Sequence, residues 1–216
     1  MKILVACEES QAVTKELRKL GHEAYSCDIE PCSGGHEEWH IQGDVIPLVN
    51  GHCEFKTVGG VEHSVKGKWD MLICHPPCTY LSNAGARHLW KNHELNQERY
   101  KKGLEAKDFF IKLYNADCEK IVVENPIPSK IYELPKYSQI IQPYEHGHPF
   151  SKKTCLWIKG LPKLKPTKII SKEEIQSTKI AGNWFNKGGK ERQKNRSKTF
   201  PGIAKAMAEQ WAGNIK

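Results

Sequence analysis

No stretch of this 216-residue sequence approaches the ~18 consecutive apolar residues that a membrane span requires. Its opening, MKILVACEES, carries no signal-peptide core. Membrane insertion and secretion are therefore not expected. The eight cysteines, at 7, 27, 32, 53, 74, 78, 118 and 155, are then expected as reduced thiols in a cytoplasm (that of a host cell, for a viral gene). Apolar residues are not abundant, at 38% with a mean hydropathy of −0.61, yet six Trp, seven Tyr and six Phe supply the bulk of one core. Internal repeats and compositional linkers are lacking as well, which leaves one domain with at most a small appendage. Cys74, His75 and Cys78 lie close together, and His36, His40, His52, Cys53 and His63 cluster upstream. No second pair follows at finger-like spacing, so no metal site is expected.

Charge is plentiful but unevenly placed. Residues 151–198 hold 14 Lys and Arg against three acids, a net of +11, while the rest of the chain holds 19 against 22. That asymmetry points to a nucleic acid or another polyanion as partner for this segment; a solvated lysine-rich face is the plainer alternative.

Ile-Leu-Val-Ala at 3–6 reads as a buried strand. Val13, Leu17 and Leu20 recur at helical spacing, with Ser10 as N-cap and Gly21 as stop. A second strand at 22–28 ends in Asp28, so strand, helix and strand make a βαβ unit, which implies a parallel sheet. Residues 29–40, rich in Gly, Pro, Cys and His, read as loop. Further strands are expected at 71–74, stopped by Pro76-Pro77, and at 121–123, stopped by Asn125-Pro126, with weaker ones at 139–142 and 154–158. A long helix is expected over 94–116, and a final one from Ile203 through Met207 to Trp211, docked on the sheet. Residues 162–200 are basic and poorly periodic.

Open parallel sheets bind ligands outside the carboxyl ends of their strands. Three strand ends here carry unusual groups: Asp28, Pro76-Pro77-Cys78 and Glu124-Asn125-Pro126. A cysteine and a glutamate converging at such ends suggest a nucleophile with an acid beside it. Around them, Asp70 precedes the Pro-Pro-Cys loop and Ser82 and Gly85 follow it. Gly43-Asp44-Val45 lies upstream; Gly147, Pro149, Phe150, Lys152 and Thr154 lie downstream, before the final segment from Pro201 to Trp211. These blocks, in this order, resemble the cytosine-5 DNA methyltransferase family, whose members use S-adenosylmethionine.

The resemblance implies an α/β fold with a Rossmann-like S-adenosylmethionine-dependent methyltransferase sheet and helices on both faces. It divides the chain into a catalytic domain, 1–161 plus 199–216, and a small basic insert, 162–198, where the family carries a large target-recognition region. It makes Cys78 the nucleophile that adds to carbon 6 of cytosine, with Glu124 at ring N3, Asn125 fixing the loop and Lys152 in the catalytic set. Ala6, Glu8, Ser10, Gln11, Asp28, Asp44 and Pro76 would surround S-adenosylmethionine, with Asp28 on the ribose and Asp44 on the adenine amino group. Ser82, Lys152, Lys153, Lys187, Lys190, Arg192 and Lys194 would contact DNA. The family's first motif is a Gly-rich turn; here residues 6–11 contain no glycine. A helix start can still offer backbone N–H groups to the cofactor carboxylate, although Glu8 and Glu9 stand nearby. Two other readings stay open: a non-catalytic nucleic-acid-binding protein on a degenerate methyltransferase fold, and the same chemistry on RNA or a free pyrimidine nucleotide.

Overall fold

A strand that is apolar at every position needs cover on both of its faces. The computed structural model, which describes residues 1–176 and 198–214, meets that requirement for β1 (Lys2–Ala6), β6 (Met71–Cys74) and the first half of β9 (Ile121–Pro126). Successive side chains along a strand point to opposite faces. Ile3, Val5, Met71, Ile73, Val122 and Leu156 accordingly pack with Val13 and Leu17 of α1 (Ala12–Lys19) and with Ile203, Met207 and Trp211. Leu4, Leu72, Cys74, Val123 and Trp157 point the other way, against Phe110 and Leu113 of α3 (Gln97–Tyr114). Each fully buried Leu, Ile or Phe contributes about 1.5–3 kcal/mol by leaving water.

Among the described residues the main sheet has seven strands, ordered β10 (Gln139–Ile141), β11 (Thr154–Lys159), β9, β6, β1, β2 (Glu23–Asp28) and β3 (His40–Gln42). From β3 to β9 all neighbours are parallel. Renumbered within themselves, these five strands follow the order 3-2-1-4-5 of a doubly wound sheet, so the α/β, Rossmann-like arrangement with helices on both faces is present. The order reverses between β1 and β6, and the crevice outside the carboxyl ends there is where such a sheet takes its ligand.

Several sequence expectations need correction. The sheet is mixed, because β11 runs antiparallel to β9 and β10 antiparallel to β11. The strand expected to stop at Asn125-Pro126 runs through both residues; Pro126 pairs with Thr154 at its end, where a missing N–H costs little. Ser10 does not cap α1. The final helix, α4 (Pro201–Met207), gives way to a π-helical turn at Ala208–Ala212. The loop expected over 29–40 gives way to β3 at His40, and residues that carried no assignment form a hairpin of β4 (Cys53–Lys56) and β5 (Glu62–Val65), whose Phe55 and Val65 close the core beside Tyr25 and Trp69. The long helix expected from residue 94 begins at Gln97, after a two-stranded ribbon of β7 (Trp90–Lys91) and β8 (Glu94–Leu95). Of the insert expected at 162–198, residues 177–197 lie outside the described residues.

Candidate functional site

The turn from β1 into α1 is where a glycine-rich motif was missing, and two non-glycine residues take the left-handed conformation instead. Cys7 has φ 59° and Gln11 φ 55°, backbone states that persist only when the surroundings over-determine them. Cys7 and Glu8 donate their N–H groups to the Cys27 carbonyl at 2.7 and 3.2 Å. Gln11, fully buried, donates from Nε2 to the His36 carbonyl at 2.8 Å and to Ser26 Oγ at 3.2 Å, and its Oε1 accepts from the His36 N–H at 3.0 Å. Both ends of the Gln11 amide therefore pin the 29–36 loop to the helix start. Ser10 is half-buried beside it.

That turn sends Glu8 back onto α1. Its carboxylate, 4% exposed, accepts from Val13 N–H at 2.6 Å, Thr14 N–H at 3.2 Å and Thr14 Oγ1 at 2.7 Å. The first N–H groups of the helix, a natural anion site, are thus filled from within the chain. Burial pushes the Glu8 carboxyl up, against the opposing pull of His75 and of these hydrogen bonds.

At the β2–β3 edge the expected nucleoside-binding acids come together. Gly43 N–H donates to the Asp28 carbonyl at 2.9 Å, which places Asp44 beside Asp28. Their carboxylates accept from Glu30 N–H at 2.9 Å and Ile46 N–H at 3.0 Å. Burial raises the Asp28 carboxyl, the Glu30 N–H lowers it, and the nearby charge of Glu9 adds to the rise. Burial and both of these aspartates push the Cys27 thiol beneath them up to about 12. Ile29, 72% exposed, stands next to Asp28. Sequence reasoning passed over it, yet an isolated apolar side chain in a polar rim suits packing against a flat ring.

The β6–β9 ends form the second part of the crevice. His75, directly after β6, donates its N–H to the carbonyl of the buried Ala6 at 2.9 Å. Asn125 is buried and donates from Nδ2 to the Pro76 carbonyl at 2.9 Å, tying the Pro-Pro-Cys loop to the strand that carries Glu124. Pro76 is buried, Pro77 exposed and Cys78 half-buried; Cys78 is not in a disulfide. Ser82 turns inward: it caps the short α2 (Asn83–Ala86) by accepting from Gly85 N–H at 3.1 Å. Arg99 of α3 braces this loop through the carbonyls of Thr79 and Gly85 at 3.3 and 3.2 Å.

Glu124 pairs with His75, Nδ1 to Oε2 at 3.2 Å. Burial opposes ionisation of Glu124, but the His75 hydrogen bond and the charges of His75 and Lys152 outweigh it and hold the carboxyl low. A small cleft beside Glu124 is lined by Lys152, Thr154, Lys198, Thr199, Phe200 and Ile203. Lys152 lies over the Phe200 ring at 6.0 Å from its centroid, and His148 tilts against the same ring at 5.2 Å. Lys153 is exposed next to Lys152. Lys187, Lys190, Arg192 and Lys194 lie outside the described residues. Among those described, no three His, Cys, Asp or Glu side chains gather as a metal site.

No protein-family model and no curated protein matches the chain. Solved structures similar to it include a protein described as a prophage-encoded DNA modification methyltransferase from E. coli, with 12% identity, TM-score 0.47, and coverage of 79% of this chain and 52% of that one. The Entamoeba histolytica methyltransferase EhMeth matches at 12% identity and TM-score 0.41, over 79% of this chain and 57% of that one. A Spodoptera frugiperda DNMT2 variant matches at 14% identity and TM-score 0.37, over 78% and 54%. The chain spans about half the length of these structures.

Proposed function

We propose that the protein transfers a methyl group from S-adenosylmethionine to carbon 5 of cytosine in DNA, through a covalent adduct on Cys78. The observation that carries this reading is the Asn125–Pro76 hydrogen bond, which joins the loop bearing a half-buried thiol to the strand bearing a buried carboxylate. Carbon 5 of cytosine is a poor nucleophile. Addition of the Cys78 thiolate at carbon 6 turns the ring into an enamine while Glu124 holds N3, and Asn125 keeps the sulfur aimed. Lys152, beside Glu124 in the cleft wall, balances negative charge there and reaches toward the phosphates with Lys153. Carbon 5 then takes the methyl group as S-adenosylhomocysteine departs, water takes the carbon-5 proton, and the sulfur–carbon bond breaks to free the Cys78 thiolate. In a duplex the base has first to leave the stack, at a cost of a few kcal/mol.

The crevice fits the nucleoside half of the cofactor. Asp28 offers a carboxylate for ribose hydroxyls, Asp44 an acceptor for an adenine amino group, and Ile29 a flat apolar contact. S-adenosylmethionine held there supplies an electrophilic methyl group. Its amino-acid end cannot take the first N–H groups of α1, because Glu8 already uses those of Val13 and Thr14. This last point favours a second reading, a nucleic-acid-binding protein without transferase activity.

Incubation with labelled-methyl S-adenosylmethionine and, separately, DNA, RNA and free cytidine nucleotides tests the proposal. Label should enter DNA at cytosine carbon 5. Cys78→Ser should abolish transfer while leaving cofactor affinity unchanged, and 5-fluorocytosine DNA should trap an adduct on the wild type. Full activity in Cys78→Ser sinks the mechanism; calorimetry with no cofactor binding by the wild type supports the second reading; label in RNA or nucleotide alone moves the substrate.

A further inference from the structure

Three buried ionisable side chains meet at the carboxyl ends of β1, β6 and β9, and the reaction above uses one of them. The Cys74–Val123 register of β6 and β9 sets His75 beside Glu124. Their side chains, 7% and 16% exposed, touch at 3.2 Å. The His75 backbone is fixed to Ala6, so the ring has little freedom to swing away. Its Nε2 is buried with no hydrogen-bond partner among the described residues. Glu8, immobilised on α1, acts on the same ring through its charge. An acid-imidazole contact on the surface would be screened and worth little; one taken out of water has a defined protonation state, because unpaired buried charge is expensive.

A carboxylate that lends a proton to ring N3 must first have one to lend. We propose that His75 is the positioning residue for Glu124, orienting its carboxylate through Nδ1 and holding the proton that Glu124 passes to cytosine N3. The inference rests on the reaction proposed above. As the bond from Cys78 sulfur to carbon 6 forms, N3 takes a proton from Glu124, Glu124 takes the Nδ1 proton, and the imidazolium becomes neutral imidazole. When water takes the carbon-5 proton of the methylated ring and the sulfur–carbon bond breaks, N3 returns its own proton to Glu124 and the imidazolium is restored. The pair gains and loses nothing over a cycle.

The surrounding charges agree with that role. Burial disfavours a charged His75, but the Glu124 hydrogen bond and charge, and then the charge of Glu8, hold its proton above the ordinary histidine range, with Lys152 opposing. Of the other titratable groups, Cys155 on β11 and Lys198 in the cleft wall lie near Glu124.

The pair is read directly by nitrogen NMR of the His75 ring in the full chain. The ring should stay protonated above the ordinary histidine range, and Glu124→Gln should lower its midpoint by about one pH unit or more. A wild-type ring that titrates at or below the ordinary value, unmoved by Glu124→Gln, overturns the inference whatever the protein methylates. In the transfer assay, His75→Asn keeps a hydrogen-bond donor but stores no proton. The variant depends on a protonated Glu124, and a carboxyl starts from a much lower pKa than an imidazole. The alkaline limb of kcat should therefore move to lower pH, with about a tenfold loss per unit of displacement on that limb, recovery toward acid, and KM within about twofold. An Asn variant with the wild-type profile refutes the proton-holding role. A wild type that methylates no nucleic acid sinks the reaction of the preceding section, while the NMR result still decides whether the pair holds its proton.

Discussion

At the β6–β9 end of the crevice, side chains are fixed by buried hydrogen bonds: Asn125 to the Pro76 carbonyl, His75 to Glu124, Ser82 to the start of α2. At the β2–β3 end the fixed parts are backbone turns around Asp28 and Asp44, and exposed side chains such as Ile29 and Asp44 line the rim. The first end is preorganised, as covalent chemistry needs, because reacting atoms must meet within a few tenths of an ångström. Under the proposed function the second takes the flat, polar-edged nucleoside half of S-adenosylmethionine.

Damage should therefore be most severe at the first end. Asn125→Ala leaves the Pro76 carbonyl buried and unpaired, at a cost of about 1–3 kcal/mol in urea melts. Loss of the aim of the Cys78 loop should lower methyl transfer on the order of 100-fold. Wild-type activity in this variant breaks the comparison. At the second end, Asp28→Ala and Asp44→Ala should each weaken S-adenosylmethionine binding by about 1–3 kcal/mol in calorimetry, with stability changed by less than about 0.5 kcal/mol.

A smaller effect should appear in thermal stability against pH. His75, whose folded pKa is raised, contributes stability that is complete below the ordinary histidine value and is lost as pH rises through the raised one. Glu124, held low, contributes stability present above the ordinary carboxyl value and lost as pH falls through its folded one. Glu8, held high, favours folding less as pH rises through its own raised value. The pair is thus most stabilising between about 4.3 and 6.5, and the melting temperature should decline above that window, by about 2–4 °C per kcal/mol lost. Glu124→Gln should flatten the decline; an unchanged slope counts against the ion pair. Smallest of all, Lys153→Gln should reduce the salt dependence of DNA affinity by about 0.9 in logarithmic slope, alike for all sequences. A slope that does not move removes Lys153 from the phosphate contacts.

The central strands were legible because residues buried on two faces leave unbroken apolar runs, as at 3–6 and 71–74. β3 and the β4–β5 hairpin were not, since short half-exposed strands such as Cys-Glu-Phe-Lys carry polar residues that also suit loops. The link between the Pro76 loop and Asn125 could be read from their common position at strand ends. The His75–Glu124 pair could not, because it depends on which residue of β6 stands opposite which of β9. The cap on α1 escaped for a similar reason: Glu8 reaches Val13 and Thr14 only because Cys7 bends the chain backward, and nothing in a cysteine announces that bend.

The face of the sheet that carries Ile3, Val5, Ile73 and Val122 is roofed by α1 and by the helical segment from Pro201 to Trp211. On a ribosome adding roughly 5–20 residues per second, β9 emerges several seconds before that roof does. Through this interval the nascent protein presents an open apolar strip along its central strands, the kind of surface that chaperones hold and that aggregates recruit. Substitutions that weaken packing of Ile203 or Met207 should thus reduce the yield of soluble protein during synthesis more than they reduce the stability of molecules that have already closed.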